Sequence, residues 1–448
     1  MPSPKSARIF RGWIVLAGLF ILLTVSAGFA FYAQGIFLDA LVREQGFSVG
    51  MAGAGTGTFF VSSGIAGYFA GGLISKYDAR SVMTVGAFIG AGGLALIAQI
   101  STEWQMFPVM AIFGTGFALT SLVPTSSIVT RWFHRQRSVA LSIASSGLSL
   151  GGILISPLIA SAIDEGGLIT WAPRLGFYFL ISLIPAIWLL VKPSPEAMGL
   201  YPDGDEPANN KTSASQGLPG VDFATATRSR YFILISLSFI LIMSAQVGAI
   251  QHIFKLTKDR FDIETAQLTL MVLSGTSVVA RILGGIAAMR ISLSRLTGCL
   301  VGVQTIGISL IAIDANSSVL SLTGVVVLGS AMGNLLMLHP LLLADVFGIR
   351  DYPRIYGLGS LLMVFGVGSG PFLVGVMRDA WDYQTAFLVM AVFAFLGLLI
   401  FLMAKPPTDL TSLPSFSSSS FDVPSTTHRP FIFLVEPLKG SNAKFKTY

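Results

Sequence analysis

The chain has 448 residues, 53% of them hydrophobic and 11% charged. Soluble domains carry roughly 25% charged residues, so there are too few charges here to coat a water-facing surface, which excludes a soluble enzyme; a disordered scaffold needs the opposite composition. The one cysteine, Cys299, excludes an intrachain disulfide framework. The net charge of +6 is laid out along the chain as a membrane-orientation signal, so no nucleic-acid partner is expected.

A membrane span needs about 20 mostly apolar residues. Twelve such runs are predicted, near 13–37, 50–74, 82–100, 106–130, 139–163, 175–191, 231–254, 266–288, 296–313, 319–346, 355–377 and 385–404. The first is too long for a signal-peptide core and no small-residue cleavage site follows it, so it reads as a true span. The Pro-, Asp- and Asn-bearing stretch Lys192–Arg230 reads as a linker. The expected organisation is a six-helix bundle over 1–191, a linker over 192–230, a second six-helix bundle over 231–404 and a disordered tail over 405–448.

With the N-terminus inside, the inner loops and tail hold 21 of the 28 lysines and arginines; Arg43, Arg174, Lys255, Lys258, Arg260 and Arg378 fall outside, and Arg281 falls within a span. This bias predicts a multi-pass protein of the plasma or inner membrane with both termini cytoplasmic. The Arg131–Arg137 cluster belongs to that signal, and anionic lipid binding is its second reading. Asn316-Ser317-Ser318 fits a glycosylation acceptor on the outer side.

Three segments repeat at nearly one offset. Gln34-Gly35-Ile36-Phe37 returns as Gln251-His252-Ile253-Phe254. Gly147 to Gly151, with Pro157 beyond, returns as Gly366 to Gly370 followed by Pro371. Gly71-Gly72 before Lys76 returns as Gly284-Gly285 before Arg290. Parallel repeats of this kind mark one transporter architecture. Gly53, Gly57, Gly64, Gly67 and Gly71 fall near one face of the second span, where small residues let backbones approach closely.

Arg281 interrupts the apolar run from Leu268 to Ala288, and that run contains no Asp or Glu to neutralise it. An ionised side chain in a span faces the interior and pairs with something. Three readings stand: a clamp on a carboxylate substrate through two parallel hydrogen bonds, pairing with another span, and snorkelling to the interface. The span runs from outside to inside, so the side chain leans toward the midplane and away from the cytoplasm. Its helix neighbours Ser274, Ser277 and Gly284 share its face, and the repeat offset places Gly64 at its twin position.

His252 and Gln251 lie toward the outer end of the seventh span. A histidine titrating near neutral pH can carry a proton, and its alternative is a satisfied interface residue. Asn334 and His339, the latter before Pro340, sit in the tenth span, and Tyr32 and Gln34 in the first can donate to a carboxylate. Asp39 and Asp345 sit at span ends as interface charges, and no acid lies mid-span. Phosphate-loop, metal-ligand and HExxH patterns are absent, so neither cofactor nor metal nor enzymatic chemistry is expected.

Twelve spans, the six-and-six division and the short basic loops resemble the major facilitator superfamily. Its loop signature is matched by Gly72, Lys76 and Arg80 in Gly72-Leu73-Ile74-Ser75-Lys76-Tyr77-Asp78-Ala79-Arg80, although Ser75 stands where the family usually has aspartate. Arg131-Trp132-Phe133-His134-Arg135-Gln136-Arg137, Gln251-His252, Ala280-Arg281 and the Pro195 to Gly204 stretch look like the monocarboxylate transporter and oxalate–formate antiporter group. The resemblance implies two pseudo-symmetric bundles with spans 1, 4, 7 and 10 lining a cavity. It also implies substrate binding by Arg281 with Gln251, His252, Tyr32, Gln34 and Asn334, proton coupling by His252, and gating by Lys76, Arg80, Gly147, Gly151, Pro157, Gly370 and Pro371. The expected function is secondary transport of a small monocarboxylate such as lactate, pyruvate, formate or oxalate, by proton symport or anion exchange through alternating access, in a monomer. Export of an unrelated small organic compound, or a non-transporting membrane sensor, is the alternative.

Overall fold

The computed structural model describes residues 10–133, 136–204, 220–288, 290–313, 317–348 and 350–406. Residues 205–219 of the polar linker, His134 and Arg135 of the basic cluster, Asn316 and the tail beyond Pro406 lie outside the described residues. No strand of a sheet occurs among the described residues, as expected where lipid offers the backbone no hydrogen-bond partner. Twelve helices are long and apolar enough to cross a membrane. Spans 1 to 6 are Arg11–Gln45, Val49–Ile74, Ala79–Ile97, Glu103–Trp132, Val139–Gly166 and Leu168–Leu190; spans 7 to 12 are Arg230–Arg260, Ile263–Ala288, Leu293–Ala312, Ser318–Phe347, Arg354–Ala380 and Tyr383–Met403. Six spans in each half bring both ends of the described chain and the linker to one face, called the linker face; the opposite one is the far face.

Short polar side chains start several spans by satisfying their first backbone donors. Ser48 accepts from Met51 N at 3.2 Å, Ser229 from Phe232 N at 3.2 Å and Ser317 from Leu320 N at 3.3 Å. Asp78 accepts from Arg80 N at 2.8 Å, and the Arg80 guanidinium beside it holds the Asp78 carboxyl below the usual carboxylate range.

The repeat reappears as a set of matching contacts. Gly147 of span 5 lies against the Phe20 carbonyl of span 1, and Gly151 against the Thr24 carbonyl and Gly28 N. In the second half, Gly366 of span 11 lies against the Ile240 carbonyl of span 7, and Gly370 against the Ser244 carbonyl and Gly248 N. A side chain at any of these glycines would enter the neighbouring backbone. The chain is therefore an all-helical membrane protein of two pseudo-symmetric six-helix bundles.

Where the halves meet, span 2 packs on span 11 and span 5 on span 8. Gly53 and Gly57 press on the carbonyls of Pro371 and Gly368, and Gly152 on Ser274. Charged groups tie the far face. Asp39 of span 1 accepts from Lys255 at 3.0 Å and Lys258 at 3.3 Å of span 7, and Lys258 also reaches Asp164 of span 5 at 2.6 Å. Asp379 of span 11 accepts from Val49 N at 3.2 Å and Gly50 N at 2.6 Å, placing a carboxylate on the positive end of span 2.

Spans 1 and 7 show where the halves part. From Leu22 to Ala30 span 1 is buried all round, and span 7 likewise from Ile242 to Thr257. Toward the linker face each is uncovered on one stripe: Trp13, Ala17 and Ile21 in span 1, Ile233 and Leu237 with the half-buried Leu241 in span 7. A lipid-facing stripe would run the whole length of a span. These stop where the far-face packing begins, so they border a gap between the halves that opens at the linker face.

Candidate functional site

Arg281 sits on span 8 at the level where the gap begins. Its Nη1 donates to the Ser145 carbonyl of span 5 at 2.6 Å, so the guanidinium crosses from one half to the other. Its Nε is buried without a partner, and among the described residues no carboxylate pairs with it. Ser277 and Ser274, one and two turns back on the same helix, are buried, as is Ser149 of span 5. Tyr32 of span 1 neighbours Ser149, Ser274 and Arg281. One cation and four hydroxyl-bearing side chains from spans 1, 5 and 8 thus surround one place at the seam of the two halves.

Local backbone features build this place. A π-turn over Ala27–Phe31 immediately precedes Tyr32, whose N–H bonds to the Ala27 carbonyl at 2.9 Å; a wider turn of this kind re-aims the following side chain. Span 5 breaks between Leu154 and Ser156, where Pro157 removes a helical donor. Gly333 of span 10 lies against Ser277 and the Arg281 Cβ, while Asn334 Nδ2 donates to the Ala280 carbonyl at 2.8 Å beside Gly284.

The other candidates fall elsewhere. Gln251 Nε2 donates to the Phe31 carbonyl at 3.3 Å, a contact between the halves. Gln34 is fully buried with both amide atoms unpartnered. His252 is buried in the second half, with Nε2 2.8 Å from the Pro371 carbonyl and Nδ1 3.4 Å from the Tyr383 hydroxyl. His339 packs on Phe239, ring centres 4.8 Å apart, and neither of its nitrogens has a partner. Asp345 is exposed on the linker-face side of span 10. Arg80 pairs with Asp78 at 2.7 Å and lies over Trp188 at 4.9 Å, whereas Lys76 is exposed. Gly147, Gly151 and Gly370 serve packing within each half, and Pro371 sits on the seam with span 2.

Sequence reasoning missed the far-face ties of Asp39 and Asp379 and the Ser145 carbonyl. The first two are charges near span ends, where solvated interface residues are common; the third is a backbone group and leaves no side-chain signal.

The family model of the Major Facilitator Superfamily matches residues 20–293 and 231–440. The chain belongs to the Major Facilitator Superfamily. Among its relatives in this superfamily is the "Agnestins efflux protein AgnL12" of Paecilomyces divaricatus, 24% identical over 297 residues, 64% of this chain and 63% of that protein. Another is "Monocarboxylate transporter 13" of Bos taurus, 24% identical over 341 residues, 72% and 73%. The fold is shared with a bacterial homologue of the human lysosomal transporter Spinster, solved in an inward-facing, unoccupied conformation. The TM-score is 0.69 at 14% identity, over 89% of this chain and 98% of that one.

Proposed function

We propose that this superfamily member carries a small monocarboxylate across the membrane, with Arg281 gripping the carboxylate. The observation that carries the reading is the Arg281 guanidinium itself: it sits at the seam of the halves, its Nη1 is held by the Ser145 carbonyl, and its Nε is buried and free. A buried cation without an anion is costly. A carboxylate arriving on the free edge supplies that anion and can accept two parallel bonds. Tyr32, Ser149, Ser274 and Ser277 offer further hydroxyl donors around it.

Alternating access follows from the same seam. The halves are tied at the far face and part at the linker face, so rocking about the span 2–span 11 and span 5–span 8 contacts would exchange which end is open, with the glycines of span 2 and span 11 as smooth bearings. With the linker face as the cytoplasmic one, as the Lys and Arg bias favours, the described state is the inward-open one. Coupling is by proton symport or by anion exchange, and one chain suffices.

Uptake of labelled lactate, pyruvate, formate and oxalate into proteoliposomes, with and without a pH gradient, tests the proposal. Saturable uptake of at least one acid supports it; uptake of none overturns it. Cysteines introduced at Ser194 on the linker face and Ser101 on the far face test the orientation: an impermeant reagent should label the second alone in intact cells.

A second reading, export of a larger uncharged metabolite, draws on the efflux relative and on the apolar lining of spans 1 and 7. It predicts transport that is indifferent to the charge at position 281.

A further inference from the structure

Between Arg281 and the linker face the gap is bordered by apolar side chains. On span 1 the uncovered stripe is Trp13, Ala17 and Ile21; on span 7 it is Ile233 and Leu237, continued by the half-buried Leu241. The two stripes stand at equivalent places in the repeat, 220 residues apart, and the burial pattern around them matches residue for residue from Gly12 to Phe20 and from Phe232 to Ile240. Residues spaced by four lie along one helix face, so each stripe is continuous and leads toward the level of Arg281. A formate or oxalate ion held by Arg281 would touch none of this wall and leave it against water. An anion with an apolar body would cover it.

We infer that the transported ion is an amphipathic organic monoanion, a carboxylate carrying an alkyl or aryl body of several carbons, and that the stripes of spans 1 and 7 bind that body while Arg281 binds the charge. This rests on the carboxylate reading of Arg281 and narrows it: the single cation suits one negative charge, and the wall sets the chemistry of the rest. Selectivity then comes from two separable parts. The charge decides whether a compound binds at all. The length of its apolar body decides how tightly, because each methylene removed from water strengthens binding about threefold to fourfold when fully buried. A dianion such as oxalate lacks the body and brings a second charge for which the described site has no cation, so it should bind worst.

Calorimetric titration of the full chain in nanodiscs with sodium acetate, butyrate, hexanoate and benzoate, and with hexanamide, tests this. The expected result is affinity rising at least fivefold from acetate to butyrate and again from butyrate to hexanoate, benzoate comparable with hexanoate, and no binding of hexanamide. In the double variant Ile21→Ser, Leu241→Ser, the ratio of hexanoate to acetate affinity should fall severalfold. Equal affinity for acetate and hexanoate would overturn the inference and leave the Arg281 reading standing. Binding of hexanamide as tight as hexanoate, or binding of no carboxylate, would overturn the Arg281 reading itself. An unchanged rise in the double variant would show that the body lies elsewhere and also overturn the inference.

Discussion

Arg281 donates to the carbonyl of Ser145 at 2.6 Å, joining span 8 of the second half to span 5 of the first. The repeat places Gly64 at the twin position of Arg281 and Val364 at the twin position of Ser145, and these two also touch across the seam. The same pair of positions is thus used twice, once closed by a glycine against an apolar side chain and once bridged by a guanidinium. The pseudo-twofold is kept in packing and broken in chemistry, and it is broken where the gap between the halves begins. A cation present in only one half gives the cavity a single anchoring point for an anion.

The span 2–span 11 seam tolerates nothing larger than hydrogen at Gly57, because a Cβ there would enter the Gly368 carbonyl. Gly57→Ala should push the far-face ends apart, an overpacking cost of about 1–3 kcal/mol. Spin labels at Ser101 and Ser317, on far-face loops of the two halves, should report a longer mean distance in this variant. An unchanged distance distribution would mean that the seam does not hold the far face closed.

Asp39 and Lys255 are both nearly enclosed, their side chains 5% and 7% exposed. Breaking a buried pair on one side costs about 3–5 kcal/mol, whereas replacing both partners by uncharged groups costs far less. Asp39→Asn should lower the thermal midpoint and increase labelling of a far-face cysteine placed beside it, and Asp39→Asn with Lys255→Met should recover much of the loss. Since Lys258 and Asp259 also flank these groups, the recovery should be partial. Additive effects of the two substitutions would contradict the pairing.

His252 has both ring nitrogens engaged within the second half, by the Pro371 carbonyl and the Tyr383 hydroxyl. This geometry gives it a structural part: it ties span 7 to the Pro371 turn that span 2 rests on. His252→Gln should lower thermal stability while leaving the pH profile of uptake in place. A stable variant that has lost its pH dependence would instead assign proton transfer to His252.

The twelve spans and the repeat were legible because both are written in side-chain type: apolar length for the spans, and glycine at Gly147, Gly151, Gly366 and Gly370 where backbones must touch. Arg281 was legible because a cation in an apolar run is costly and calls for a partner. Its partner was not, since Ser145 contributes a carbonyl that any residue would carry. The far-face ties were hidden for another reason. Asp39 and Lys255 are 216 residues apart, and each alone looks like a solvated charge at a span end. The place of His252 in span 7 was legible, but the side of the span it faces is set by packing against spans 11 and 12, which the sequence of a helix buried all round does not reveal.

The central claim is that Arg281 binds the substrate's carboxylate. The measurement that bears on it most directly is substrate affinity of purified Arg281→Gln and Arg281→Lys variants, taken together with their thermal midpoints. Losing a charge-assisted hydrogen bond costs about 1.5–3 kcal/mol, which is roughly a tenfold to hundredfold loss of affinity. The account predicts that loss in the Gln variant with its thermal midpoint kept, because the substitution removes an unpaired buried charge, and a similar loss in the Lys variant, whose ammonium cannot make two parallel bonds. A folded Gln variant that transports carboxylates at the affinity of the unmodified chain would contradict it.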